Sequence, residues 1–496
     1  MGKTELHIVG IDAAPLWIIR VLSKKYGLKG FQSIMRDGKL RNLESTLPPM
    51  TGAAWPSIYT GMPPSKHGLM DFFTINKDYE KQLVYFDESV AEPFWKTLSK
   101  QGSRSLIITP AMVIRPTMDP NVDMVTGFPL PAKFSSDRIK SESIRYGFTG
   151  EPDIEKDIKS GSMPLKEASV RFSESIKKRA ELSKSLIKKG NYDLSFTCFT
   201  ETDRLQHFSL NRYDWEALIY PLYKEVSTFI EWLINNTGSK NSERSIMIVS
   251  DHGAQPIYNK FLINSWLINN GYARFKENIG DAAIAYDARE KLMSNKSLRK
   301  IYDGMPKAAK SLARKMISSS GVHVKEGTYS RMHDFDLDMS NTRAFASISN
   351  DPVSMIWIND SRFSEPAVKH GEKAILKKEL IQRLKGLKTE KGEKLINRVI
   401  DGKAYYGSTN MFIAPDMLIE ARKGYTIDIF NYSPKRIFMK PEPAKSGDHI
   451  RQGIFGFMSP DNKLSNDALM VKGVLDINNL VMNVLSKSRR NVYKQQ

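Results

Sequence analysis

The feature that most restricts what this chain can fold into is a repeated order of apolar run, polar turn and amphipathic segment. Leu6–Ile11 ends in Asp12, Tyr192–Phe199 leads into residues 200–208, and Ser245–Ser250 runs into Asp251-His252-Gly253. Continuous apolar runs of this length mark strands covered on both faces, and parallel strands need a crossover helix between them. Ser105–Thr109 is a further strand candidate after the helical stretch Phe94–Lys100. Long amphipathic patterns at Pro164–Lys189, closed by Gly190-Asn191, and at Tyr213–Asn236 supply helices between strands. Residues 5–253 therefore predict an α/β fold with a mostly parallel, doubly wound sheet. Ligands of such sheets sit beyond the carboxyl ends of the strands.

One stretch without a strand also stands out: residues 46–73, TLPPMTGAAWPSIYTGMPPSKHGLMDFF. Pro48 and Pro49 keep the chain extended up to Thr51, and Gly52, Ala53 and Ala54 leave the Thr51 side chain uncrowded. The run Trp55–Tyr59 reads as the first turns of a helix with Thr51 at or just before its start. Such a start presents unpaired N–H groups and suits a phosphoryl anion. For a lone Thr, the plainer reading is an N-cap.

Past residue 253, FLINSWLINNGY at 261–272 reads as a short helix closed by Gly271. Strand-like runs return at Arg343–Ser347, Val353–Ile358 and Ala414–Glu420, with a charged helix at 371–386. The expected organisation is core α/β over 1–110, a cap or connection over 111–165, and core again over 166–272. A basic helical insert over 273–340, a last core portion over 341–486 and a frayed basic tail over 487–496 complete it. The basic residues of 286–317 read as the solvated face of an insert, with a polyanion or membrane-surface role as the minor alternative.

The formal net charge of +19 calls for anionic partners. A phosphorylated small molecule is the favoured one, ahead of nucleic acid or a membrane surface. The single cysteine, Cys198, sits in the apolar run SFTCF, reads as a buried structural thiol and fits a reducing compartment. No window approaches the roughly 18 apolar residues of a membrane span, and the N-terminal apolar stretch is too short for a signal peptide. The expected setting is cytoplasmic.

Residue types that bind metals gather where the strands end. Asp12 follows the first strand, Asp203 and His207 share a helix face at i, i+4, and Asp251-His252 follows the strand 245–250. His449 lies in SGDHIRQG, read as a Gly-flanked loop. Asp and His suit zinc, or less selectively manganese or iron. Three carboxylates and three imidazoles exceed the needs of one tetrahedral ion and fit two, with the Thr51 alkoxide as a further ligand. Two ions about 3.5–4 Å apart can stabilise both oxygens of a phosphoryl displacement.

The ordered set Asp12, Thr51 in TGAAWPSIYTGMPPSKHG, Asp203-x-x-x-His207, Asp251-His252-Gly253 and His449 resembles the alkaline phosphatase superfamily. It is most similar to the type I phosphodiesterase/nucleotide pyrophosphatase branch and its soluble prokaryotic phosphohydrolases. LINSWLINNGY at 262–272, GEKLI at 392–396, YYG at 405–407 and APDMLI at 414–419 carry the likeness further along the chain. The resemblance implies a three-layer α/β/α sandwich with inserted caps and two divalent metal ions, zinc or else manganese. It implies Asp203, His207 and His449 on one ion, and Asp12, Asp251 and His252 on the other. Thr51 would bridge them as the nucleophile and form a covalent phospho-threonine. The eukaryotic nucleotide pyrophosphatases carry a phosphate-binding Asn just past the His-Gly turn, and Phe72, beside Asp71, stands there in this sequence. The oxygen contact would then fall to the N–H of Thr51 or Gly52.

The implied activity is a phosphodiesterase or nucleotide pyrophosphatase. Alternatives on the same fold are a phosphomonoesterase, a phosphonate hydrolase or a phosphotransferase. From a different class, a basic polyanion- or membrane-surface-binding protein could retain the fold. His7, His67, His323, His333 and His370 receive packing or surface roles, and Trp55 and Trp266 read as core aromatics.

Overall fold

A computed structural model of the chain describes residues 4–236, 243–276, 337–348, 351–431, 436–442 and 444–493. The basic stretch 286–317, His323 and His333 lie outside the described residues. Seven strands form the central sheet. Their spatial order is Arg41–Glu44, Gln452–Met458, Glu243–Val249, Thr4–Ile11, Leu194–Phe199, Ser105–Ile108 and Val122–Val125. The pairings among the last five are all parallel, and Gln452–Met458 runs antiparallel to both of its neighbours. The first strand to be made thus occupies the middle of the sheet.

Side chains alternate along that strand and serve two cores. Leu6 and Ile8 join Trp55, Tyr59, Phe94, Trp95 and Ile477 on one face. Val9 and Ile11 join Ile18, Phe172, Ile219 and Val226 on the other. Helices Thr51–Thr60, Phe94–Lys100 and Asp476–Tyr493 therefore cover the first face, and Leu165–Lys189 with Trp215–Asn236 covers the second. Each fully buried aliphatic or aromatic side chain contributes about 1.5–3 kcal/mol through loss of water contact. The result is the three-layer α/β/α arrangement that the family resemblance implies, around the mostly parallel sheet that the strand–helix alternation predicts.

A second, smaller core forms around a four-stranded antiparallel sheet, ordered Ala344–Ser347, Val353–Ile358, Met417–Ala421, Ile396–Asp401. Helix Lys373–Lys385 lays Leu376, Leu380 and Leu384 on it. A short ribbon of Gly253–Pro256 with Gly447–Ile450 lies beyond the carboxyl end of the main sheet. Among the described residues, no helix is long and apolar enough to cross a membrane.

The structure departs from the sequence expectation in three places. Val122–Val125, inside the stretch read as a connection, is the edge strand of the main sheet. Its four residues, VDMV, are too few to show a period. His449 lies on the strand Gly447–Ile450 rather than in a loop, because the flanking glycines allow close packing instead of a turn. Gly447 in particular could not carry a Cβ, which would stand 2.4 Å from the Gln206 carbonyl oxygen. The stretch after 486 is helical as far as Tyr493, continuing the helix that opens at Asp476.

Candidate metal centre

The carboxyl ends of three adjacent parallel strands are level, since Gly10 pairs with both Cys198 and Val249. The residues that follow are Asp12, the helix Glu201–Ser209 and the pair Asp251-His252. A tight turn fixes Asp12: Ala13 takes a left-handed φ of 52°, which is strained for a residue with a Cβ. Four bonds hold that turn. Thr202 Oγ1 donates to the Asp12 carbonyl (2.7 Å) and Gln206 Nε2 to the Ala13 carbonyl (3.1 Å). The Ala13 N–H donates to Asp251 Oδ1 (3.2 Å) and the Ala14 N–H to Ser250 Oγ (2.9 Å).

Thr51 is the first residue of helix Thr51–Thr60, and Met50 is its N-cap, so the plain capping role for Thr51 does not hold. Its Oγ1 lies 3.3 Å from Asp12 Oδ1 and 3.2 Å from His252 Nε2. Ala53 and Ala54 both donate to the Met50 carbonyl, whereas the Thr51 and Gly52 N–H groups meet no backbone carbonyl among the described residues. The helix start is pressed against the Asp71 backbone, because a Cβ on Gly52 would lie 2.6 Å from the Asp71 carbonyl carbon. One turn on, Trp55 Nε1 donates to Asp12 Oδ2 at 3.0 Å.

The three imidazoles share one orientation. Nδ1 of His207 donates to the Gly447 carbonyl (3.1 Å) and Nδ1 of His252 to the Gly253 carbonyl (3.2 Å), assignments that follow from oxygens able only to accept. Nδ1 of His449 faces Asp351 Oδ1 at 3.0 Å. Each Nε2 is thereby left to point inward. His449 Nε2 lies 3.1 Å from His207 Nε2 and 3.2 Å from Asp203 Oδ1, and His207 Nε2 lies 3.3 Å from Asp203 Oδ2. His252 Nε2 is 3.1 Å from Asp251 Oδ2, an oxygen with no hydrogen-bond donor among the described residues.

Charge is crowded here: Asp12, Asp251 and His252 are buried, and Asp203 and His207 keep only partial exposure. Burial, then the charges of Asp251 and Asp203, push the Asp12 carboxyl well above its ordinary range. Burial drives Asp251 up to about 8 and His252 down to about 4. Burial opposes ionisation of Asp203 as well, but His207 and His449 outweigh it and hold that carboxyl well below the usual range. Facing lone pairs on His252 and Asp251, facing imidazole nitrogens on His207 and His449, and three gathered carboxylates fit a site that takes cations.

Asp203, His207 and His449 offer ligand atoms within 4.8 Å of one another, and so do Asp12, Asp203 and His252. Asp203 therefore stands between both groups, while Asp251 approaches through His252. The structure brings all seven candidates, Asp12, Thr51, Asp203, His207, Asp251, His252 and His449, to one end of the sheet. It also reveals partners that spacing does not mark. Asp351, Asp448 and His449 form a third close group. The N–H of His449 donates to Asp448 Oδ1 (3.0 Å), and Asp448 Oδ2 accepts from Thr426 Oγ1.

Of the residues given packing roles, His7 faces Ser195 Oγ at 2.7 Å within the sheet, and Trp266 is buried in the second core. His370 opens a short 3-10 turn and is not buried. His67 accepts from the Leu69 N–H at Nδ1 (3.2 Å), so its Nε2–H faces Ser57 Oγ at 3.0 Å. Cys198 is buried, and burial pushes its thiol up. Phe72 sets its ring edge-on to Phe128, with centroids 5.7 Å apart.

Compared with known proteins, the chain matches the family described as type I phosphodiesterase / nucleotide pyrophosphatase over residues 7–429. Among solved structures it is similar to phosphonoacetate hydrolase from Sinorhizobium meliloti 1021 in complex with phosphonoacetate. That alignment has 12% identity and a TM-score of 0.56, and covers 98% of this chain and 96% of that chain. The same hydrolase with phosphonoformate aligns equally, with 12% identity, a TM-score of 0.56 and coverage of 98% and 96%. Murine ectonucleotide pyrophosphatase / phosphodiesterase 5 aligns at 13% identity with a TM-score of 0.46, covering 97% of this chain and 95% of that chain. No curated protein matches. At these identities the structural likeness speaks for the fold alone.

Proposed function

The chain belongs to the type I phosphodiesterase/nucleotide pyrophosphatase family, hydrolases of phosphorylated small molecules, and on that premise we propose a metal-dependent phosphodiesterase that works through Thr51. The observation that carries the reading is the position of Thr51 Oγ1, between Asp12 Oδ1 and His252 Nε2 at a helix start. Asp203, His207 and His449 would hold one divalent ion and Asp12, Asp251 and His252 a second, with Thr51 as a further ligand. Zinc suits this donor set, with manganese the alternative. Such ions, when bound, supply Lewis acidity that eases ionisation of the Thr51 hydroxyl and offsets charge on the phosphoryl oxygens.

Thr51 Oγ1 attacks phosphorus; the Oγ1–P bond forms and the bond from phosphorus to the leaving oxygen breaks. Water then cleaves the phospho-threonine and restores the hydroxyl. Asp12 Oδ1 accepts the Thr51 hydroxyl proton and His252 Nε2 faces the same oxygen at 3.2 Å, so the two side chains flank that hydroxyl. The Thr51 and Gly52 N–H groups are placed to donate to a phosphoryl oxygen, the task for which Phe72 has no polar atom. Trp55 and the Ala13 N–H fix the carboxylates of Asp12 and Asp251.

Substrate choice we assign to the segments 111–165 and 273–340. In support, Arg204, next to Asp203, is bound by Glu155 Oε2 (2.6 Å) and Glu151 Oε2 (3.2 Å) from the first of them. The single buried cysteine is the basis for proposing a cytoplasmic setting.

The test is metal content together with turnover of bis-p-nitrophenyl phosphate and p-nitrophenyl phosphate, wild type against Thr51→Ala. Near two ions per chain and a diester activity at least ~10³-fold lower in Thr51→Ala are expected. Diester cleavage that persists in Thr51→Ala rules out the threonine mechanism. A preference for the monoester moves the enzyme to the phosphomonoesterase alternative.

A further inference from the structure

Away from the metal centre, an open groove of about 630 Å³ lies between the ribbon Phe73–Ile75/Lys81–Leu83 and the loop Gly407–Asp416. Four cations line it: Lys77, Arg362, Lys373 and Lys403. Two of them are already committed. Arg362 Nε donates to Asp360 Oδ1 (2.8 Å) and its NH2 to Asp416 Oδ2 (2.5 Å). Lys373 Nζ lies 2.5 Å from Asp360 Oδ2 and 2.8 Å from Asp416 Oδ1. These four charges cancel and leave a fixed floor. Lys77, just after the strand Phe73–Ile75, and Lys403, just before the loop Gly407–Asp416, have no carboxylate partner among the described residues. Ser408 and Gln82 also line the groove.

We infer that this groove is a second anion site, built for the two charges of a phosphate monoester held between Lys77 and Lys403. Lysine is a point charge with three donors and suits a tetrahedral oxyanion approached from two sides. The groove is not isolated from Thr51. Lys403 stands in the helix Gly402–Tyr406, whose Tyr405 Oη accepts from the Leu47 N–H (2.8 Å) and whose Tyr406 Oη donates to the Leu47 carbonyl (3.0 Å). Leu47 is four residues before Thr51. The same loop reaches the Ser65–Gly68 turn, where Thr409 Oγ1 donates to the Ser65 carbonyl (2.9 Å). Lys403 is therefore tied through Tyr405 and Tyr406 to the segment that carries Thr51. The anion is either a second phosphate of the substrate or a free phosphate compound.

Calorimetry on full-length protein stripped with EDTA, titrated with inorganic phosphate, tests the site without contribution from bound metals. Wild type should bind one phosphate in a salt-sensitive manner, and Lys77→Gln/Lys403→Gln should weaken binding by about tenfold or more with thermal stability unchanged. No saturable binding by wild type, or equal binding by the double variant, overturns the site. On metal-loaded enzyme the source is read from bis-p-nitrophenyl phosphate and thymidine 3′-phosphate 5′-p-nitrophenyl phosphate. A KM increase in the double variant for the second substrate only assigns the phosphate to the substrate. No change for either substrate assigns it to a free ligand. An equal loss for both substrates means that the lysines serve the metal centre, and overturns a separate site.

Discussion

The indole N–H of Trp55 donates to Asp12 Oδ2 across 3.0 Å, joining the helix of Thr51 to the end of the central strand. One carboxylate thus faces Thr51 with one oxygen and Trp55 with the other. Trp55→Phe keeps most of the ring in the core and removes only the donor. Metal affinity should fall about 10–100-fold, with a stability loss of about 1.5–3 kcal/mol from the lost bond to a carboxylate. Zinc titration and chemical denaturation of the variant measure the two effects separately.

Asp351 approaches His449 from the side opposite Asp203, at 3.0 Å from Nδ1. Burial opposes its charge, but His449 keeps the carboxyl far below the ordinary range. Asp351→Asn preserves shape and removes the charge that directs the imidazole. Zinc binding at the Asp203, His207 and His449 group should weaken about 10–100-fold, read by competition with a zinc-sensitive dye rather than by turnover.

Metal removal should destabilise the fold. Ligands that bind only the native state add about 2.7 kcal/mol at a concentration 100 times Kd. Differential scanning calorimetry should show a lower Tm after EDTA treatment and recovery on adding zinc. In Asp203→Asn the response to zinc should be largely lost.

His67 supplies the pH dependence. Burial lowers its folded pKa to about 3 from an ordinary 6.5. The unfolded chain binds the proton first, so the contribution of neutral His67 is fully present above about pH 6.5 and is lost as pH falls towards 3. In thermal denaturation, His67→Gln should be destabilised most near neutral pH, and the gap to wild type should narrow on acidification. A gap that widens in acid contradicts a buried neutral imidazole.

Much of this was legible in the sequence, because topology does most of the placing. Asp12, Asp203, Asp251 and His252 all follow apolar runs, and parallel strands must deliver such residues to one edge. Thr51 was legible through its Pro-Pro and Gly-Ala-Ala surroundings. The contacts of Trp55 and Asp351 were not, since each depends on a partner 43 or 98 residues away and on no spacing rule. Val122–Val125 was hidden for a different reason: a charged residue interrupts a strand only four residues long. His67, before Gly68 in a turn, reads as structural, and its two buried hydrogen bonds agree with that role.

The strand Gln452–Met458 lies between two strands that are synthesised far earlier, Arg41–Glu44 and Glu243–Val249. In the finished sheet those two do not pair with each other, and the place between them is filled by residues 452–458, which are among the last to be made. His449 emerges immediately before that strand. The last imidazole and the last strand therefore arrive together, so a nascent chain that already carries Thr51 and the other five candidate ligands has neither a closed sheet nor a complete centre.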